Sequence, residues 1–352
     1  MTQLDLILVG YGNVARRFVS LVRERQAALR RDHGLVIRVV ATATRRHGCV
    51  YAGRAVNAPS TEAFLRDALR KSAVAARQGR LVVVETTTLD IAKGEPATRH
   101  IRTALAGGAH VVTANKGPVA FAHRVLTRAA ARAGRRFLFE GAVMDGVPVF
   151  NLVRDTLPAV TVNGFRGVVN STTNFILTAM EQGQPFDAAL KEMQARGIAE
   201  ADASLDVDGW DAAAKTAALA NALLGAEITP HEVDRRGITP ADGPLAIAAH
   251  AAGRRLKLVA QARRDGGRIT ARVAPEELAG DDLLAQLEGQ QNAIILETDL
   301  LAEIAIVQRG GSLTQTAYAL LSDLITIARA TPQSRTSARP RRSPSPPARR
   351  KR

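Results

Sequence analysis

One cysteine, Cys49, occurs in 352 residues, which excludes an internal disulfide framework and a cysteine-rich metal site. No apolar run reaches the roughly 18–20 residues that a membrane helix needs, so no span is expected. Met1–Gly10 leads straight into an apolar stretch, without the basic flank and small-residue cleavage site of a secretion signal. These absences point to a cytoplasmic protein. Acidic residues are missing altogether from 331–352, where eight Lys or Arg stand among Pro and Ser. Nothing there can build a core, so 331–352 is expected to be a disordered basic tail.

The formal net charge is +15, but with the tail set aside the body carries only about +7. A nucleic-acid-binding face on the body is therefore not expected. The tail fits either a non-specific polyanion contact or an inert extension. What remains is 46% hydrophobic in the chain as a whole and long enough for two domains with cores of their own.

Leu4–Gly10, Val36–Ala41, Leu81–Glu85, Ala109–Thr113 and Phe137–Glu140 read as strands, each separated from the next by a helical segment. That alternation predicts an α/β fold over 1–140, a doubly wound parallel sheet of the Rossmann type. Over 141–311 the pattern becomes α+β. A strand at Val160–Val169 precedes helices at Asn174–Met180, Asp187–Arg196 and Asp211–Leu224. Leu256–Ala262 and Arg268–Val273 flank Asp265-Gly266-Gly267, a hairpin signal. Two more strands, near Ala293–Thr298 and Glu303–Val307, come before a final helix at Thr316–Arg329.

Gly10-x-Gly12-x-x-Ala15 joins the first strand to its helix, the context in which a dinucleotide fingerprint carries meaning. Gly10 would allow the tight turn, Gly12 the close approach of a pyrophosphate, and Ala15 close strand–helix packing. Asn13 and Val14 open the helix whose free N–H groups would face the phosphates. Such turns also occur without a ligand. After the second strand the acid that binds an NAD ribose is absent, and Arg45 and Arg46 stand there instead. Arginines suit a 2′-phosphate, favouring NADP(H) over NAD(H), unless they are plain surface charges.

Further on, Glu200, Asp202, Asp206, Asp208 and Asp211 crowd one loop, and Lys215 follows Asp211 by four residues. Positions i and i+4 share a helix face. By residue type alone, an acidic, solvated helix start explains this at least as well. Asn170, Thr172 and Thr173 could bind a small polar substrate or cap the helix after them.

Five segments alter that balance: Gly10-Tyr-Gly12-Asn-Val-Ala15, Val112-Thr-Ala-Asn115-Lys116, Glu140-Gly-Ala-Val-Met-Asp-Gly-Val-Pro148, Gly167-Val-Val-Asn170-Ser-Thr172-Thr173-Asn174 and the acidic stretch from Gly197 to Lys215. In this order they resemble the homoserine dehydrogenase family, in a short form without a regulatory domain, from the first strand to about residue 330. The resemblance implies NAD(P)H-dependent, reversible reduction of aspartate 4-semialdehyde to homoserine, a step of threonine and methionine biosynthesis. Lys215 would donate the proton, as a buried lysine tuned toward neutral pH. Lys116, at the junction of nicotinamide and substrate, is the second candidate. Glu200 and Asp206 would take the substrate ammonium, and Asp211 its hydroxyl or amine end.

By the same resemblance, Glu85 with Thr86, Thr87 and Thr88 forms a cofactor-contacting loop, with Asn115 and Lys116 after the fourth strand. The backbone carbonyls of Glu140, Val143, Asp145 and Val147 would hold a monovalent cation such as Na+, although an ordinary turn around Gly146 and Pro148 fits too. The chain departs from the family at three places. Asp145 replaces a glycine or alanine, and Ser171 replaces a glycine. Gln308-Arg309-Gly310-Gly311-Ser312 replaces a glycine-rich turn, which leaves Gly310 as the cofactor contact there. The helix in 312–330 would pack back on the nucleotide domain, and a homodimer would form through residues near 141–150 and 290–310. Two alternatives stay open: a related oxidoreductase acting on another amino-acid aldehyde or keto acid, or a non-catalytic NADP-binding sensor.

Overall fold

β1 (Thr2–Val9) sends alternate side chains to opposite faces, Leu4, Leu6 and Leu8 into one apolar cluster and Ile7 and Val9 into another. Burial on both faces marks a central strand of a sheet covered on two sides. The computed structural model describes residues 1–44, 48–195 and 202–330. After β1 come α1 (Asn13–Glu24), α2 (Gln26–His33), β2 (Leu35–Thr44), β3 (Gly48–Tyr51), β4 (Arg54–Val56), α3 (Thr61–Lys71), α4 (Ala73–Arg77) and β5 (Leu81–Glu85). Then follow α5 (Ala97–Ala106), β6 (His110–Thr113), α6 (Lys116–Arg132) and β7 (Phe137–Leu138). The sheet runs β4-β3-β2-β1-β5-β6-β7.

From β2 to β7 the strands pair in parallel, as the strand–helix alternation requires. The edge differs from expectation, because β3 and β4 add an antiparallel hairpin beyond β2. Its two-residue loop, Ala52-Gly53, has positive φ at both positions. Asn-Gly or Asp-Gly usually announces that geometry, and alanine gives no such signal.

The second half contains β8 (Val162–Val168), α7 (Ser171–Glu181), α8 (Phe186–Ala195), α9 (Ser204–Val207), α10 (Trp210–Leu223), β9 (Asp234–Arg235) and α11 (Asp242–Ala251). It ends with β10 (Arg254–Asp265), β11 (Arg268–Ala279), β12 (Asn292–Thr298), β13 (Glu303–Gln308) and α12 (Leu313–Ala330). Its sheet, β13-β12-β8-β10-β11-β9, is antiparallel except where β9 joins β11. α12 returns to the first sheet, where Ala317, Leu320, Leu324 and Ile327 pack with Leu4, Leu6, Leu8 and Phe18. No helix among the described residues is long and apolar enough to cross a membrane.

One helix pair joins the two halves. α10 is lined with buried alanines, Ala212, Ala213, Ala217 and Ala220 among them, and small side chains let it approach α6 closely. At Ala122 α6 leaves helical geometry (φ −145°, ψ 16°). Asn221 on α10 donates to the Val119 and Ala120 carbonyls beside that kink, at 3.2 and 3.1 Å. The docking ties the last turn of α10 to the first turns of α6.

Candidate active site

At the carboxyl end of β1, Gly10 has φ +92°, and a Cβ there would lie 2.7 Å from the Thr86 carbonyl oxygen. Only glycine fits that turn. Gly12 has open space around it and forms the N-cap of α1 without a side-chain hydrogen bond. The first N–H groups of α1, at Asn13 and Val14, are thus left for an anion. Ala15 is fully buried beneath them. Thr86 Oγ1 donates to the Gly10 carbonyl at 3.2 Å. These features are a cradle suited to a dinucleotide pyrophosphate.

Beneath this surface Glu85 is fully buried. Its carboxylate accepts from Thr87 N (2.9 Å), from the Thr87 hydroxyl and from Thr113 Oγ1 (2.9 Å). Burial pushes its pKa up to about 7 against the opposing pull of Thr87 and Thr113. Asn115 caps α6 through Gly117 N at 2.9 Å and donates to the Thr87 carbonyl at 3.0 Å. The loops after β5 and β6 are therefore one hydrogen-bonded unit.

Lys116 opens α6, while Asp211 and Lys215 share a face of α10. Lys116 Nζ lies 3.1 Å from Asp211 Oδ1, and Lys215 Nζ lies 2.8 Å from Asp211 Oδ2. Lys215 also donates to the Val169 carbonyl at 2.7 Å. Asn170 Nδ2 donates to Asp206 (2.7 Å) and to Asp211 (2.9 Å), and Thr172 bonds Asp206 as well. All three charged side chains of the central group are 15–19% exposed, so they are partly enclosed and still reachable from solvent.

Burial opposes ionisation of Asp211, but Lys116 and then Lys215 outweigh it and hold its carboxyl well below the usual range. Burial raises the Asp206 carboxyl, and repulsion from Asp211 adds to the rise. For Lys215, burial works against the ammonium and Asp211 overcomes it, leaving the pKa above that of an ordinary lysine. This corrects the expectation of a lysine tuned toward neutrality: with Asp211 in contact, the ammonium is the resting form.

Two other assignments change. Thr173 is fully buried, with its N–H and hydroxyl both on Asn170, so it serves the α7 cap and not a substrate. Asp211, already engaged by two lysines and Asn170, anchors those groups and has little left for a substrate hydroxyl. Asn174 turns away as well, to the buried Lys257 at 3.1 Å. Arg45, Arg46 and Glu200 lie outside the described residues. Gly310 is exposed at the junction of β13 and α12. A Cβ on its neighbour Gly311 would lie 2.5 Å from Asp145 Oδ2, so a side chain there would have to displace that carboxylate.

Between the halves the 140–147 loop is mostly buried, with Met144 and Asp145 both at positive φ. The Glu140 carboxylate accepts from the N–H groups of Val149 (2.7 Å), Phe150 (3.0 Å) and Asn151 (2.5 Å). Asp323 Oδ2 accepts from Glu140 N at 3.0 Å. Among the described residues no group of three or more His, Cys, Asp or Glu could hold a metal. Backbone carbonyls are hard oxygen donors of the kind a monovalent ion takes. The sequence reading overlooked Asp323, although one acid on the apolar side of a helix was a usable signal.

A dinucleotide cradle beside a lysine–carboxylate cluster, at the carboxyl ends of parallel strands, defines a nicotinamide-dependent oxidoreductase. The family model described as homoserine dehydrogenase matches residues 148–325, and that of the homoserine dehydrogenase NAD-binding domain matches 10–140. The NAD(+)-dependent homoserine dehydrogenase of Pseudomonas canavaninivorans is 37% identical over 342 residues, covering 93% of this chain and 97% of that protein. The homoserine dehydrogenase structure from Thiobacillus denitrificans superposes with TM-score 0.79 at 30% identity, covering 94% of this chain and 74% of that one. A hyperthermophilic archaeal homoserine dehydrogenase mutant in complex with NADPH gives TM-score 0.76 at 27% identity, covering 95% and 100%. The chain belongs to the homoserine dehydrogenase family.

Proposed function

We propose that the protein catalyses the reversible reduction of aspartate 4-semialdehyde to homoserine. The observation that carries this is the Lys116–Asp211–Lys215 cluster beside Asn170 and Asp206, facing the nucleotide side of the fold. A bound NAD(P)H supplies the hydride. Gly10, Gly12, the first turn of α1 (Asn13, Val14), Thr86, Thr87, Asn115 and Gly310 would hold it. Lys215, an ammonium at rest, gives its proton to the carbonyl oxygen as the alcohol forms. Lys116 adds positive potential at that oxygen. Asp211 keeps both lysines in place. Asp206, oriented by Asn170 and Thr172, and Glu200 pair with the substrate ammonium.

NADP(H) is the favoured cofactor in this reading, on the strength of Arg45 and Arg46; one relative is named as NAD(+)-dependent and a solved structure holds NADPH. The carbonyls of Glu140, Val143, Asp145 and Val147 would bind a monovalent cation. The unit 1–140 with 312–330 serves the nucleotide and 141–311 the substrate, in a cytoplasmic homodimer. β13, an edge strand with Val307 exposed, supports an interface near 290–310. Residues 141–144, buried within the subunit, support the 141–150 contact less. The test is NADPH and NADH oxidation with aspartate 4-semialdehyde against other amino-acid aldehydes and keto acids. Equal or better activity on another carbonyl compound would reject the assignment.

A further inference from the structure

The three places where the chain departs from the family motifs form one hydrogen-bonded unit. Asp145 accepts from Gln308 Nε2 and from Thr316 Oγ1, both at 3.1 Å. Gln308 Oε1 accepts from Asn292 Nδ2 at 3.0 Å, and the same amide donates to Ser171 Oγ at 2.8 Å. Gln308 Nε2 also donates to Gln315 Oε1 at 3.1 Å. This path starts in the 140–147 loop, passes through the end of β13 and the start of β12, and ends at the first residue of α7, beside Asn170. Gln308 and Asn292 are 2% and 4% exposed, so water cannot replace their bonds freely.

The backbone is fitted to the path at two points. A Cβ at Gly311 would lie 2.5 Å from Asp145 Oδ2, and one at Gly146 would lie 2.2 Å from the Gln315 carbonyl oxygen. Asp145 has φ +54°, a conformation that costs a non-glycine residue free energy unless its side chain compensates. Its two hydrogen bonds hold the side chain in that conformation. A carboxylate takes both donors at once, Gln308 Nε2 on Oδ2 and Thr316 Oγ1 on Oδ1.

We propose that Asp145, Gln308, Asn292 and Ser171 form a polar strut that positions the Gly310–Gly311 turn against the start of α7, and that NAD(P)H affinity depends on Asp145 through this turn. Asp145 is a positioning residue, acting through Gly311 and Thr316. The inference rests on the reading that Gly310 and its neighbours touch the cofactor.

The test measures NAD(P)H binding by the fluorescence of the reduced nucleotide, so it needs no turnover. Asp145→Gly suits the positive φ and removes the acceptor; it should weaken binding about tenfold. Asp145→Asn keeps an acceptor oxygen for Gln308 Nε2, and its amide N–H can donate to Thr316 Oγ1, whose own hydrogen has the Ser312 carbonyl within reach. Its binding should therefore stay within about twofold of the parent. Gly311→Ala forces a methyl against Asp145 and should weaken binding by about tenfold or more. Combined with Asp145→Gly, Gly311→Ala should add no further loss, because the obstructing carboxylate is gone. Melting temperatures check that each variant is folded. The strut is refuted if Asp145→Gly binds like the parent, or if Gly311→Ala is as harmful without Asp145 as with it. Normal binding by Gly311→Ala alone would instead remove the turn from the nucleotide site, and the inference with it.

Discussion

The Asp211 carboxylate lies between two ammonium groups, its Oδ1 3.1 Å from Lys116 Nζ and its Oδ2 2.8 Å from Lys215 Nζ. The two lysines come from different halves of the molecule, and the packing of α10 on α6 brings them together. One carboxylate thus offsets two neighbouring positive charges in a partly enclosed site. Without it the two ammonium groups would repel each other, and burial would favour the free amine of Lys215.

Lys215→Ala should lower turnover about 10²–10⁴-fold, the range for losing a positioned acid–base group. The fold should persist, because α10 is already rich in alanine and accepts one more readily. NAD(P)H binding should change little. A variant that turns over nearly normally at saturating substrate would transfer the proton donation to Lys116 or to water.

Asp211→Asn tests the electrostatics of the same pair. In the parent, Asp211 outweighs burial and holds the Lys215 pKa above the ordinary lysine value. The proton donor is then lost only in strongly alkaline solution, and aldehyde reduction falls there. With a neutral amide, burial favours the free amine, and only the weaker pull of Asp145 and Asp206 still favours the ammonium. The alkaline limb of the reduction rate should move to lower pH by about 1–3 units. A limb that stays in place, measured in the reductive direction from pH 6 to 11, would show that Lys215 does not set it.

Much of this was legible in the chain, and each miss has a physical reason. The parallel strands were readable because both-sided burial demands runs such as Leu81–Glu85. The β3–β4 hairpin was not, since Ala52-Gly53 hides its turn geometry. The Asp211–Lys215 pair followed from helical spacing, but its contact with Lys116 is tertiary, and so is the direction of the Lys215 shift. Thr173 looked like a ligand because a helix cap and a substrate site use the same side chains. Gly311 escaped notice because its constraint comes from Asp145, more than 160 residues away.

Arg45 and Arg46 follow the last described residue of β2, Thr44, where a doubly wound fold places the adenosine ribose. Replacing both with serine should raise the Michaelis constant for NADPH about tenfold or more while that for NADH changes little, since each charge-assisted phosphate contact contributes roughly 1.5–3 kcal/mol. An unchanged NADPH/NADH ratio would make the two arginines ordinary surface charges and leave NAD(H) an equal candidate.

Asp323 ties α12 to the loop between the halves, accepting from Glu140 N at 3.0 Å and from Asn151 Nδ2 at 3.2 Å. It is fully buried, and burial pushes its pKa from 3.8 up to about 7, with the charge of Glu140 adding to the rise. The folded state therefore binds this proton more tightly than the unfolded chain does. Its contribution to stability is complete below the unfolded value and declines as pH rises from about 4 to about 7, by at most on the order of 4 kcal/mol. Above that window both states are ionised and the dependence ends. Asp323→Asn keeps an acceptor for Glu140 N and cannot ionise, so its stability should vary less over the same range. Urea unfolding at pH 4.5 and pH 7.5 measures the difference; parent and variant losing equal stability between the two would show that Asp323 does not titrate there.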